Sequence, residues 1–227
     1  MKEEVTKATT IIKKELDIEI RGMQSMRAFY EGSSFVDFQE YQAFQTFAKV
    51  AEKERPVLWM QLVTNNTRET YKNRYEGTIN KGELKIKSYK NGKVEVKTKF
   101  EKTYYMPLSY ALPETLMNSE DEYTVGINYM EYLTKECNES MWEAINKQKL
   151  TNCKRKTKLI LFSAIVKDTQ LENSVAKQNG VIQKIIPMEK LNWPEGFNMK
   201  MRLNEELIFD QKQLQQEQEQ QQEEEKK

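Results

Sequence analysis

Apolar residues first recur along this chain at steps of three and four, at Val5, Ala8, Ile12, Leu16, Ile20, Met23, Met26 and Tyr30. That spacing draws one narrow apolar stripe over about seven helical turns, until Gly32, Ser33 and Ser34 break it. Two uses fit such a stripe: the seam of a stalk that pairs with a second copy as a parallel homodimer, or packing along the chain's own domain. Asp37 and Glu40 then form a capping box. The helix they open carries Phe38, Tyr41, Phe44, Phe47, Ala48 and Ala51 on one face and ends near Lys53.

Beyond Pro56 the period shortens to two. In Val57 to Leu62 both alternating sets are apolar, which predicts a strand in the middle of a sheet. Two alternating runs within residues 83–100 meet at Asn91-Gly92, a pair that accepts the positive φ angles of a tight hairpin turn. Further strands are predicted over Tyr104–Tyr110, Tyr123–Tyr129, Lys158–Val166 and Gly180–Ile186, with a helix centred on Met141, Trp142 and Ile145. A last hairpin is expected over Phe197–Asp210. Antiparallel strands interspersed with helices give an α+β class. After Asp210 the chain is almost wholly glutamine, glutamate and lysine and reads as a frayed helix or disordered tail.

Composition narrows the chemistry. Among 227 residues there is no histidine, and the two cysteines are Cys137 and Cys153. A histidine base, a Ser-His-Asp triad and the commonest zinc and haem ligand sets are therefore excluded. No glycine-rich phosphate loop, CxxC pair or GxSxG elbow is present either, so no catalytic residue, metal or cofactor is expected. The 36 basic and 35 acidic residues nearly cancel, which gives no electrostatic case for nucleic acid. The lysines of 81–102 alternate with Leu84, Ile86, Val94, Val96 and Phe100 and read as a solvated strand face. The longest apolar run, Leu159 to Val166, falls far short of the ~20 residues that cross a bilayer. The first twenty residues have no apolar signal-peptide core.

Several segments, in order, carry a resemblance over about residues 10–210. Phe29 to Ser33 closes the first helix with an aromatic-x-x-Ser element, and Phe38 to Phe47 form a Phe-x-x-Phe-like helix. Arg68 and Tyr71 follow the first strand as an Arg-x-x-aromatic element. Tyr105, Pro107 and Leu108 match a Tyr-x-Pro-[Val/Leu] strand, and Gly126, Ile127 and Asn128 stand where a Gly-[apolar]-Asp strand is usual. A late strand ending at Lys167-Asp168 and the Gly180 to Leu191 segment complete the set. In this order they resemble the CHASE domain, the extracytoplasmic sensor of histidine kinase and nucleotide cyclase receptors.

The resemblance implies a stalk helix over 1–32, PAS-like antiparallel-sheet subdomains over 33–210 and a tail over 211–227. It also implies a small-molecule ligand, an extracytoplasmic location, and membrane helices and an output domain outside this sequence. In the plant cytokinin receptors, which carry this domain, an aspartate on the Gly-[apolar]-Asp strand binds the purine and a leucine some twenty residues later packs on it. Asn128 and Leu150, with the adjoining Thr151, fall at those positions. Trp59, Tyr105 and Tyr110 are the aromatic walls expected of the same cleft. Each has a plainer alternative: Asn128 as an amide pairing with backbone, and the leucine and aromatics as core. Cys137 and Cys153 flank the Trp142 helix and either bridge or remain free thiols. Asn65-Asn66-Thr67 and Asn138-Glu139-Ser140 are glycosylation sequons. The rival reading is an intracellular assembly subunit whose long helix and tail bind other proteins.

Overall fold

The computed structural model describes residues 2–48, 54–75, 85–90, 93–97, 99–100, 102–113, 116–117, 123–167 and 178–191. All belong to the compact unit Met1–Pro194. Helix α1 runs Lys2–Gly32 and α2 runs Phe38–Ala48. The capping box is formed as expected, with Glu40 N donating to Asp37 Oδ1 at 2.8 Å and Asp37 N donating to Glu40 Oε2 at 3.1 Å. Strands β1 (Val57–Gln61) and β2 (Val63–Thr64) precede α3 (Arg68–Tyr75). A hairpin of β3 (Lys87–Lys90) and β4 (Lys93–Val96) leads to β5 (Tyr104–Tyr105) and β6 (Leu108–Leu112). Then come α4 (Tyr129–Tyr132), α5 (Lys135–Lys147), β7 (Thr151–Arg155), β8 (Lys158–Ile165), β9 (Gly180–Pro187) and a 3-10 turn at Met188–Leu191.

The chain is α+β. Its main sheet is antiparallel throughout, in the order β6-β1-β9-β8-β7, so the first and last of the described strands lie side by side at its centre. Register assigns every side chain to a face, because directly opposed residues point the same way. Trp59 is opposed by Tyr110 and Ile182, and Lys184 by Val57 and Leu161; these form one face. Leu58 is opposed by Gln183 and Ala111, and Gln183 by Phe162; these form the other. All five residues of β1 are buried, as expected of a central strand.

Helix α1 packs on β8 and β9. Ile12, Leu16, Ile20, Met23, Met26 and Tyr30 are all buried there. The stripe is thus the chain's own packing face from Ile12 onward, and a dimer seam through these side chains would require them to leave the core. The side chains of Val5 and Ala8 lie outside the described residues. On the opposite face α5 packs over β7 and β8, and Cys137 of α5 is bonded to Cys153 of β7, with Cα atoms 5.2 Å apart. Gly180 lies where Trp59 crosses β9: a Cβ there would sit 2.4 Å from Met60 O and 2.6 Å from the indole, so only glycine fits.

Three expectations need correction, and two elements were not foreseen. Tyr123–Tyr129 is not a strand, because Gly126 turns the chain at φ 91° and leaves Ile127 and Asn128 as isolated bridges before α4 starts. Tyr104–Tyr110 divides into two strands that join different sheets, β5 pairing with β2 and β6 with β1. Arg68–Tyr75 is a helix, and Thr151–Arg155 is a strand that alternation did not reveal. The hairpin is confined to Lys87–Val96, and its turn at Asn91-Gly92 lies outside the described residues. So do Ala51 and Lys53, Asp168, the hairpin expected over Phe197–Asp210, and the tail. Among the described residues there is one five-stranded sheet, so a second PAS-like sheet is not found among them.

Candidate functional site

The six residues singled out from the sequence do not converge. Trp59 and Tyr110 face α1 and α2, inside an aromatic cluster that includes Tyr30, Tyr41 and Tyr75. Ring centroids lie 4.3 Å apart for Tyr30 and Trp59 and 5.4 Å apart for both Tyr41 and Tyr75 against Tyr110. Three polar tips in this cluster pair locally: Tyr41 Oη donates to Val57 O, Tyr75 Oη donates to Gln61 Oε1 at 2.9 Å, and Tyr71 Oη meets Ser109 Oγ at 3.3 Å, whereas Tyr30 Oη and Trp59 Nε1 are buried without a hydrogen-bond partner. Burial pushes the phenol pKa of Tyr30, Tyr41, Tyr71, Tyr75 and Tyr110 above the ordinary value. This is packed core.

Thr151 lies at the far edge of the sheet on β7, where its hydroxyl donates to Ser140 O at 2.7 Å and ties α5 down. Leu150 is half-buried in the segment before it. Tyr105 is fully buried, and its hydroxyl accepts from Lys102 N at 2.9 Å.

Asn128 sits beyond the opposite edge, bridged to Pro107 next to β6. Its neighbours Ile127 and Tyr129 belong to the apolar cluster under α5. The Asn128 amide oxygen accepts from Met106 N at 2.9 Å, which is the backbone pairing expected as its alternative role. Its Nδ2 is buried with no hydrogen-bond partner. Asn128 therefore has an unmet NH2 group beside a carbonyl oxygen already engaged by backbone, which differs from the acceptor-only aspartate that the resemblance would place there.

Among the seven described residues with buried side-chain polar atoms lacking a hydrogen-bond partner, one lies at the centre of the sheet with both of its atoms unmet. Gln183 of β9 is fully buried, on the face shared with Leu58 and Phe162, and neither Oε1 nor Nε2 has a partner. The surrounding wall is apolar: Leu58, Met60, Ile160, Phe162, Val181 and Ile185. An amide buried with both polar atoms unmet costs free energy, so the site calls for a partner such as an ordered water, an ion or a ligand. One face of apolar side chains with a few polar groups aimed into it is the chemistry of a small-ligand site. The sequence carried a signal for it, since Gln183-Lys184 is a polar pair inside the apolar run Gly180 to Ile186. Run-by-run reading passed over it.

Lys184, one residue on, points to the other face and forms an ion pair with Glu19 of α1; both side chains are almost fully buried. Arg55 Nη1 joins the same carboxylate at 2.5 Å, and its Nη2 donates to Lys190 O at 2.9 Å.

An open depression of about 670 Å3 lies on the outer side of α5 between Lys135 and Lys147. Its walls come from that one helix, which cannot enclose a small molecule, and neither Gln183 nor Asn128 lines it. Among the described residues no group of three or more acids and cysteines is placed to hold a metal ion, and no helix is long and apolar enough to cross a membrane. Comparison with protein-family models and with curated proteins finds no match to this chain.

Proposed function

We propose that this chain is a small-ligand sensor module of the CHASE type, and that its ligand is held on the α5 side of the central sheet by the Gln183 amide. The observation that carries the reading is that amide: fully buried, centrally placed, with donor and acceptor both unmet. Such an amide selects a neutral molecule that presents a donor and an acceptor side by side, as a lactam, primary amide or nucleobase edge does. Asn128 adds its unmet NH2 group as a donor. In this reading it does not grip a purine as an aspartate would, so adenine-type ligands bind weakly.

Supporting features are an antiparallel sheet with its first and last strands paired at the centre, as a PAS-like core requires, and a long helix laid across one face. The Cys137–Cys153 bond fits an oxidising, extracytoplasmic compartment. Fold alone assigns no activity, so the weight rests on the site. The assembly-subunit reading loses its main feature, because the α1 stripe is occupied by the chain's own sheet.

In this proposal strand β9 is also the output element. Gln183 meets ligand on one face while Lys184 holds α1 through Glu19 on the other, so a shift of β9 on binding moves the helix. The test is a thermal-shift screen of the full chain, stripped of bound molecules by refolding, against neutral amides, lactams and nucleobases. A ligand that raises the Tm of the wild type and not of Gln183→Met supports the reading. Ligands that stabilise both proteins equally would remove Gln183 from the site.

A further inference from the structure

We infer that Asn65 is a site of N-linked glycosylation and that Asn138, which has the same sequence signal, is not. Asn65 and Asn66 are exposed in the turn between β2 and α3. Thr67, the third residue of the sequon, shapes that turn: its Oγ1 accepts from Thr64 N at 2.9 Å and shares a hydrogen bond with Thr64 Oγ1 at 3.0 Å. A sugar on the Asn65 amide projects into solvent and breaks none of these bonds.

Asn138 has no such freedom. Its Nδ2 donates to Met130 O at 3.0 Å and to Leu133 O at 3.3 Å, tying the first turn of α5 to α4, while its Oδ1 is buried. Glycosylation replaces one of the two Nδ2 hydrogens by a sugar, so one of these bonds is lost and the sugar must occupy the space of the α4–α5 connection. Cys137, the preceding residue, is bonded to Cys153 and holds this segment against the sheet. A chain glycosylated at Asn138 cannot complete this corner of the fold.

The co-reactant is an oligosaccharide carried on a lipid diphosphate. The Asn65 amide nitrogen forms a bond to the anomeric carbon of the sugar, and the bond from that carbon to the diphosphate oxygen breaks. The electron pair leaves on the diphosphate, and the amide proton passes to a base of the transferring enzyme. This inference rests on the extracytoplasmic placement proposed above.

The experiment secretes the full chain from a glycosylating host and maps both asparagines by peptide mass spectrometry after enzymatic release of the sugar. The expected result is occupancy at Asn65, none at Asn138, and complete loss of the release-dependent mobility shift in Asn65→Gln. Ser140→Ala, which removes only the second sequon, should leave the shift unchanged. A secreted protein with the Cys137–Cys153 bond intact and no sugar at Asn65, or sugar at Asn138 in folded protein, overturns this inference and leaves the sensor reading standing. Protein recovered from its native membranes with both cysteines reduced overturns the placement, and the glycan with it.

Discussion

Replacing Gln183 by methionine should make the unliganded protein more stable while removing its ligand response. The two side chains are close in length and shape, but the thioether has no strong donor or acceptor to leave unmet. In the wild type both amide atoms are buried without partners on the face lined by Leu58 and Phe162. Each unmet polar group costs about 1–3 kcal/mol, and a shape-conserving swap in a packed interior costs less than about 1.5 kcal/mol. The polar term wins. A net gain of about 2 kcal/mol is expected, which for a chain of this size raises Tm by roughly 4–8 °C.

Urea unfolding of wild type and Gln183→Met, both refolded from denaturant to remove any bound molecule, measures the difference directly. An unchanged slope with a higher midpoint is the expected signature. Destabilisation by more than about 1 kcal/mol would refute the reasoning, because it would mean that the amide is satisfied in the free protein and holds the core together.

Removing one partner of the buried pair, as Glu19→Ala, should cost about 3–5 kcal/mol, since Lys184 is left charged in the core and Arg55 keeps only the longer contact to Glu15 at 3.8 Å; a loss below about 1 kcal/mol in urea would show that the pair is solvated. Stability should also fall steeply above pH ~10. The five buried tyrosines have phenol pKa values raised by burial, so between the unfolded value near 10 and the higher folded values the native state holds more protons than the unfolded chain. Their stabilisation is complete below pH ~10 and declines by about 1.4 kcal/mol per tyrosine per pH unit above it. Tyrosinate absorbance and circular dichroism should therefore change together in one alkaline transition; independent titration of the phenols in folded protein would contradict this burial. Reducing Cys137–Cys153, which lie 16 residues apart in sequence, should cost about 3 kcal/mol and lower the urea midpoint; an unchanged midpoint would mean that α5 docks on β7 without it.

Features fixed by neighbours in sequence were legible. The α1 stripe, the Asp37–Glu40 capping box and the hairpin across Asn91-Gly92 depend on spacing alone. What failed depended on tertiary context. The Tyr123–Tyr129 alternation promised a strand, but Gly126 turns the chain at φ 91° and leaves two isolated bridges at Ile127 and Asn128. Thr151–Arg155 is too polar to read as a strand, and it is one because it lies at the sheet edge, where its outward groups are solvated and Cys153 is bonded to Cys137. Trp59 and Tyr110 were legible as strand aromatics, but β1 is apolar on both faces, so alternation could not say which face α1 would cover. Spacing from the family pattern grouped Asn128 with Leu150. Strand order separates them, one beyond β6 and the other leading into β7.

Central placement is what gives the Gln183-Lys184 pair its leverage. On an edge strand either side chain could reach solvent and relax alone, and two adjacent residues on opposite faces would report different environments. β9 is hydrogen-bonded on both sides, to β1 and β8 over most of its length, so it cannot tilt without carrying both neighbours. Under the proposed function, a ligand that engages the Gln183 amide changes the favoured position of this one strand. Lys184, Glu19 and Arg55 then present α1 with the same displacement through charges that are too buried to be screened by salt. That arrangement separates two kinds of variant. Gln183→Met removes recognition and leaves the helix docked, whereas Glu19→Gln keeps recognition and loosens the helix. Ligand affinity and hydrogen exchange in α1, measured on both variants, should move independently if β9 is the link. If Glu19→Gln lowers affinity as much as Gln183→Met does, the two faces form a single packed unit and β9 transmits nothing of its own.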